Sequence, residues 1–457
     1  MTTPAAEADG LPPPRRYWAV ATVALGITMA VLDGSIANVA LPTIARDLHA
    51  TPADSIWVVN AYQLIITILM LPLASLGEII GYRRVYRAGL VVFILASLAC
   101  SLSGSLPMLT AARVMQGVGA AGMLSVNGAL MRFIYPSGLL GRGIGINAFV
   151  VAVSAAAGPT IAALILSLAT WPWLFAVNVP IGIATMAAAR MLPRTPRSGR
   201  RFDLASALLN ALFFGLLIIA IDSIGHGGRP LYAAFAFVGA ALSGVALVKR
   251  QMSQVSPLLP VDLLRIPLFA LSIATSVCSF AAQMLAYVSI PFYFQYLLHR
   301  SSVETGLLMT PWPLAAAVVA PIAGRLADRH SAGIIGALGL VLFATGLGLL
   351  ALLPVHPDNA DIVWRMMLCG AGFGLFQSPN NRAIMTSAPR NRSGGASGML
   401  GTARLLGQTV GAALAALMFS LFAARPSVWS LALAASISLV AAAVSYMRPV
   451  NASGAPS

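Results

Sequence analysis

Residues 17–41 read YWAVATVALGITMAVLDGSIANVAL, and this stretch decides the fold. About 20 apolar residues, each rising about 1.5 Å along an α-helix, cross the hydrocarbon core of a bilayer. Inside the stretch sits one carboxylate, Asp33. An ionised acid at that depth costs about 2.5–3.5 kcal/mol on insertion scales, so Asp33 is expected to face a cavity or a partner. Intramembrane acids are functional by default, and the bland alternative is a packing residue satisfied by a polar neighbour. The stretch is too long for the apolar core of a cleaved leader, and no small-residue cleavage site follows it, so it is read as a retained span.

The composition extends this reading to the whole chain. Of 457 residues, 58% are hydrophobic and 9% charged, against about 25% charged in a soluble domain. Such a chain cannot cover a water-facing surface, so an integral membrane protein is expected. Cys100, Cys278 and Cys369 lie in apolar runs without paired spacing and read as small core residues, with no metal site and no disulfide framework. The histidines are scattered, and no phosphate loop or nucleophile motif is present, so no enzyme activity and no cofactor are expected.

Fourteen apolar runs follow one another, at about 17–41, 55–76, 85–104, 107–131, 142–168, 171–191, 204–222, 231–248, 267–290, 303–325, 331–353, 361–385, 395–421 and 428–447. Their length, without ten-residue alternation, predicts helices rather than barrel strands. Placing the N-terminus inside puts 21 of the 28 basic residues in cytoplasmic segments and four outside, with Arg113, Arg365 and Arg404 within spans. This positive-inside bias accounts for the +15 net charge without nucleic acid, and leaves lipid headgroups as partners of the cytoplasmic arginines. Both termini are expected in the cytoplasm of a bacterium, with the spans in its inner membrane.

An internal repeat is visible. Leu76-Gly77-Glu78 ends span 2, and Leu326-Ala327-Asp328 ends span 10, 250 residues on. Arg113-Val-Met-Gln-Gly-Val-Gly in span 4 pairs with Arg365-Met-Met-Leu-Cys-Gly-Ala-Gly in span 12, the glycine spacing slipping by one. Eight spans separate the copies, so a six-span unit is repeated around two inserted spans. The expected fold is all-α: two six-helix bundles related by pseudo-symmetry plus two inserted helices. The expected divisions are a disordered cytoplasmic N-terminus (1–16), an N-terminal bundle (17–191), a linker (192–203), the inserted pair (204–248), a second linker (249–266), a C-terminal bundle (267–447) and a cytoplasmic tail (448–457). Repeats of this kind characterise transporters that rock about a midplane site.

Five further stretches carry a resemblance. They are Leu32-Asp33-Gly34-Ser35-Ile36-Ala37-Asn38-Val39-Ala40-Leu41-Pro42, Trp57-Val58-Val59-Asn60-Ala61-Tyr62, Arg113 to Ala120, Gly158-Pro159, and Trp173-Leu174-Phe175-Ala176-Val177-Asn178-Val179-Pro180-Ile181-Gly182. In this order and spacing they resemble the fourteen-span drug:proton antiporter branch of the major facilitator superfamily. The resemblance implies alternating access and proton-coupled export of amphiphilic, often cationic, small molecules. It also implies a cytoplasmic gate loop, Gly77 to Arg84, in which Glu78, Arg83 and Arg84 make charge contacts, with a second copy in Asp328 and Arg329. Glu78 and Ile79 depart from that loop's usual residues, and the second copy is nearer the pattern. Gly158-Pro159 would bend span 5 and admit a neighbour, since Pro removes a backbone donor and Gly permits close approach. The two glycines usual after this pair are Ala162 and Ala163 here.

The residues themselves suggest a site. Arg113 is an intramembrane cation that needs a partner, either as a relay helper near Asp33 or as a structural arginine on backbone carbonyls. The repeat places Gln283 opposite Asp33, and Phe280, Gln283, Met284 and Tyr287 share one helix face. Aromatics and Met suit flat or cationic ligands, although packing explains them equally well. Tyr62, Asn127, Asn147, Gln377, Asn380 and Asn381 are further polar candidates. Asp33 is expected to serve both proton and substrate. Uptake, export of one metabolite or lipid, and a non-transporting receptor or assembly role are the alternatives; a monomer is the expected state.

Overall fold

The computed structural model describes residues 10–199, 201–225, 230–254, 260–327, 329–389 and 392–448. Its long helices are α1 (Arg15–Asp47), α2 (Pro52–Ile80), α3 (Tyr82–Ser101), α4 (Leu106–Ile134), α5 (Leu140–Leu168), α6 (Trp173–Met191), α7 (Leu204–Gly225) and α8 (Pro230–Met252). They continue as α9 (Pro267–Phe292), α10 (Ser302–Leu326), α11 (Ala332–Ala351), α12 (Asn359–Ser387), α13 (Ser393–Leu421) and α14 (Pro426–Tyr446). Thirteen of them are long and apolar enough to cross a membrane. The remaining one, α12, has 29 residues, and its polar run Gln377-Ser378-Pro379-Asn380-Asn381-Arg382 makes it less apolar.

The expected disorder of residues 1–16 is corrected at its C-terminal end; residues 1–9 lie outside the described residues. The Leu11 N–H donates to the Ile134 carbonyl at 3.0 Å, and Leu11 packs on the core of the first bundle. This anchors the chain ahead of α1, which begins at Arg15.

Two six-helix bundles, α1–α6 and α9–α14, repeat the same packing. In the first, α3 and α4 approach through Gly89 and Gly119; a Cβ on Gly119 would collide with the Phe93 backbone and the Gly89 carbonyl. In the second, a Cβ on Gly372 would collide with the Phe343 backbone and the Gly339 carbonyl. Likewise Gly117 lies under the Tyr62 carbonyl and Gly370 under that of Trp312. These pairs fix the register of α4 on α12: Gly117 answers to Gly370 and Gly119 to Gly372, so Arg113 answers to Met366, not to Arg365. The one-residue slip in the sequence thus displaces the arginine, not the glycines. Met366 is fully buried, whereas Arg365 turns aside to Asp361 at 2.9 Å and to the Leu349 carbonyl. Small residues that let backbones touch are the usual device of membrane bundles. Gly119→Val is therefore expected to cost about 1–3 kcal/mol by overpacking, read as a lower unfolding temperature in detergent. Gly104→Ala, where a Cβ meets nothing within 4 Å, is the neutral control, and an equal effect of the two substitutions would refute the reading.

The inserted pair forms a hairpin, α7 on α8. Asp203 fastens its base: Arg250 donates to it at 3.0 Å, and the Ser206 N–H bonds it as a helix cap. On its other side α7 lies on α2 and α13, one helix from each bundle. There Asn210 donates to the Ile68 carbonyl at 2.8 Å and the Trp57 Nε1–H to Asp222 at 3.1 Å.

Among the described residues, the hydrogen bonds that join the bundles gather toward the end opposite the chain termini. Gln295 donates to the Val39 carbonyl (3.1 Å), Tyr296 to the Pro42 carbonyl (3.2 Å), and Thr43 bonds Ser302 (3.0 Å). Thr160 of α5 meets Thr310 of α10 at 2.8 Å. Gly158 lies against Ser35 of α1, and α10 supplies the glycine that α5 lacks at positions 162 and 163: Gly306 sits on the Pro159 carbonyl and Ala163. Nearer the middle, Thr67 of α2 bonds Thr409 of α13 at 2.9 Å.

Candidate functional site

Asp33 lies two turns before the interbundle contacts of α1 and is 2% exposed. Three N–H donors from two other helices converge on its carboxylate. Arg113 Nη1 donates to Oδ2, while Gln116 Nε2 and Asn178 Nδ2 each donate to Oδ1 at 2.8 Å. The pair with Arg113 is an ion pair with both side chains buried. Gln116 stands one turn from Arg113 on α4, so one helix face delivers both donors.

Each partner is held in turn. Arg113 Nε donates to the Val58 carbonyl of α2 at 2.9 Å, and its guanidinium lies over the Tyr62 ring, 4.1 Å from the centroid, and near Phe175 at 5.5 Å. Arg113 thus bonds the acid with one end and a backbone carbonyl with another. Its Nη2 has no hydrogen-bond partner among the described residues. Gln116 also donates to Ser97 of α3 at 2.9 Å and accepts from Cys100 Sγ at 3.6 Å. The Tyr62 hydroxyl, 1% exposed with its residue, donates to the Ala30 carbonyl at 2.9 Å. Five helices thus meet at one carboxylate. Charge-assisted bonds of this kind are among the strong ones, and a low dielectric strengthens them.

The equivalent place in the second bundle is apolar. Trp312, the counterpart of Tyr62, packs edge-on to Phe343 (5.3 Å) and Tyr287 (5.1 Å), and Phe373 meets Phe343 (5.6 Å) and Phe280 (5.4 Å). The chemistry is therefore one-sided.

The remaining candidates scatter. Phe280 and Met284 are buried in the hydrophobic core, so packing accounts for them, while Gln283 and Tyr287 are half-buried. Asn127 donates to Asn147 across α4 and α5 at 3.0 Å, and its own Oδ1 lacks a partner among the described residues. Asn380 is 1% exposed and serves its own bundle, donating to Ser276 at 2.7 Å and accepting from Arg448 at 2.6 Å. Burial pushes that Arg448 guanidinium down to about 10. Gln377 and Asn381 are half-buried on α12. Of the gate residues, Arg83 donates to the Arg190 carbonyl at 2.9 Å and Arg84 to the Ile80 carbonyl at 3.3 Å, both within the first bundle. The Glu78 carbonyl accepts from the Ser198 N–H, Arg329 is exposed, and Asp328 lies outside the described residues.

Sequence reasoning left Gln116, Asn178 and Ser97 without a role. The spacing of Gln116 from Arg113 was a usable signal for the first. Nothing in the sequence brings Asn178 or Ser97 to Asp33.

Asp222, half-buried on α7, accepts from the Trp57 Nε1–H at 3.1 Å. Asp222→Asn keeps an oxygen for the Trp57 N–H, so activity is expected to stay within about two-fold of wild type, about 0.4 kcal/mol. A ten-fold loss at normal expression would contradict that.

Two pseudo-symmetric helical bundles, closed on each other at one end and holding a paired intramembrane carboxylate, define a membrane transporter. The model of the major facilitator superfamily matches residues 23–293 and 271–457, and the chain belongs to that family. It is 61% identical to the uncharacterized transporter YebQ of Escherichia coli, over 97% of this chain and 98% of YebQ. It is 31% identical to the riboflavin transporter RibZ of Clostridioides difficile, with 89% of each chain covered. It is 32% identical to the multidrug resistance protein Stp of Mycobacterium tuberculosis, over 85% of this chain and 73% of that protein. Among solved structures, a POT family transporter in complex with a thioalcohol-conjugated peptide superposes with a TM-score of 0.71 at 12% identity, covering 93% of this chain and 94% of the other. It shares the fold.

Proposed function

We propose that this chain exports small amphiphilic molecules in exchange for protons by alternating access, with Asp33 as the proton-carrying group. The observation that carries this reading is the convergence of Arg113, Gln116 and Asn178 on one buried carboxylate. All three offer N–H groups, so the donor set matches the acceptor-only oxygens of a carboxylate. Protonating Asp33 would leave Arg113 buried without its counter-charge, a costly state. A proton is therefore taken up only when the helices shift, and its loss returns the bundle to the conformation described here. Asp33 lies on the helix whose next turns grip α9, so a change at the carboxylate is felt where the bundles meet.

With both termini in the cytoplasm of a bacterial inner membrane, the closed end is the outer one and the present conformation faces inward. Glu78, Arg83 and Arg84, with Asp328 and Arg329, then form the inner gate as the bundles rock. Residues 17–191 and 267–447 act as the moving bodies. The name of Stp supports a multidrug role. That of RibZ favours a second reading, transport of one defined metabolite. Asp33, enclosed by Arg113, offers no free charge to a cationic drug in this conformation. Everted vesicles test the proposal: a transported dye should accumulate with an imposed pH gradient and collapse it measurably. Accumulation that is indifferent to the gradient would refute proton coupling.

A further inference from the structure

Four helices form a ring around the space between the bundles: α13 touches α9, α9 touches α1, α1 touches α2, and α2 touches α13. Two residues of α13 face α9, since a Cβ on Gly407 would meet Val277 and Phe280, and one on Gly411 would meet Ala281 and Leu285. Two others face α2, where Thr409 bonds Thr67 and Gly401 lies by Met70. At about 100° per residue, the strip of α13 between these two faces carries Arg404, with Gln408 one turn on. The strip looks into the ring. Ala415, further toward the closed end, is fully buried, whereas Arg404 and Gln408 are half-buried. Arg404 makes no hydrogen bond or ion pair among the described residues, in contrast to the paired Asp33, Arg113 and Arg365.

A guanidinium this deep, about 16 Å along α13 from its first residue by helix rise, is expensive to keep unpaired. Its planar fork suits two oxygens of one anionic group, and low-dielectric walls strengthen its field. Resting on the transport reading above, we infer that Arg404 binds the carboxylate or similar anionic group of the substrate, so that the favoured cargo is an amphiphilic anion, with Met70, which lies by Gly401 one turn earlier on α13, as an adaptable apolar contact. The depth of Arg404 favours a diffusing substrate over a lipid headgroup as the source of the anion.

The test is equilibrium binding, with no gradient, so it stands apart from proton coupling. The full chain in phosphatidylcholine nanodiscs is titrated with carboxyfluorescein, an anion, and rhodamine 110, a cation of similar shape, by fluorescence anisotropy. The wild type is expected to favour the anion by about ten-fold or more, the scale of a charged hydrogen bond. Arg404→Gln should erase the preference and Arg404→Lys retain part of it. Equal or cation-favouring binding by the wild type, no saturable binding of the anion, or an unchanged preference in a folded Arg404→Gln protein would each overturn the inference. Loss of anion binding when phosphatidylglycerol is added to the discs would overturn it in favour of a lipid headgroup. A failed proton assay with this dye selectivity intact would instead remove only the coupling proposal.

Discussion

Asp33→Asn is expected to abolish gradient-driven export, leaving dye accumulation in expressing cells equal to that in cells without the transporter. Asn has nearly the shape of Asp, and its amide oxygen can still accept from one or two of the three donors around it. It cannot take up or release a proton, and its NH2 group would meet an N–H donor head-on. The bundle therefore keeps its fold while the proposed exchange loses its carrier. Downhill movement of substrate can persist, because the interbundle contacts at Val39, Pro42 and Thr43 do not involve the carboxylate. Asp33→Glu keeps the titratable group but pushes it about one methylene into a fully enclosed site, so partial activity with a shifted pH optimum is expected. The measurement is uphill efflux at equal expression; normal uphill efflux by Asp33→Asn would contradict the assignment.

Arg113→Gln is the second large effect, and here stability is the readout. It leaves Asp33 buried without a counter-charge, which costs about 3–5 kcal/mol when one partner of such a pair is removed. It also removes the bond to the Val58 carbonyl and the contact with the Tyr62 ring. The unfolding temperature of the purified protein should fall sharply. Adding Asp33→Asn to it should recover much of the loss, since a neutral pair replaces an orphaned charge, while transport stays absent. A double variant no more stable than Arg113→Gln alone would show that the arginine acts through its backbone and ring contacts rather than through the acid.

Much of this arrangement could be read before the structure, for physical reasons. Helices that must satisfy their own backbone in lipid announce themselves as apolar runs, so the fourteen spans and the all-α class were legible from length and composition. The repeat's offset also survived, at 250 residues from Gly89 to Gly339 and 253 from Gly119 to Gly372, because glycines at helix crossings cannot be replaced freely. The offset misled at one point. Arg365 looks like the partner of Arg113 by position, but a one-residue shift on a helix turns a side chain by about 100°, and that rotation carries Arg365 to Asp361. The depth of Asp33 and its need of a partner were readable from cost alone. Its surroundings were not, because Asn178, Ser97 and Val58 come from three separate helices and nothing in their local sequence points at α1. Arg404 was hidden for the same reason. Whether an arginine in a span faces lipid, core or cleft depends on which sides of its helix are occupied, and that is decided by α2 and α9.

Proton release from the purified protein tests the central claim most directly. Wild type and Asp33→Asn in detergent, in a weakly buffered solution with a pH-sensitive dye, receive a saturating amount of a transported compound. The account predicts substrate-induced proton release from the wild type and none from the variant, whose binding of that compound, followed separately by fluorescence, is retained. Equal release from both proteins would contradict it, and would place the exchanged proton on a group other than Asp33.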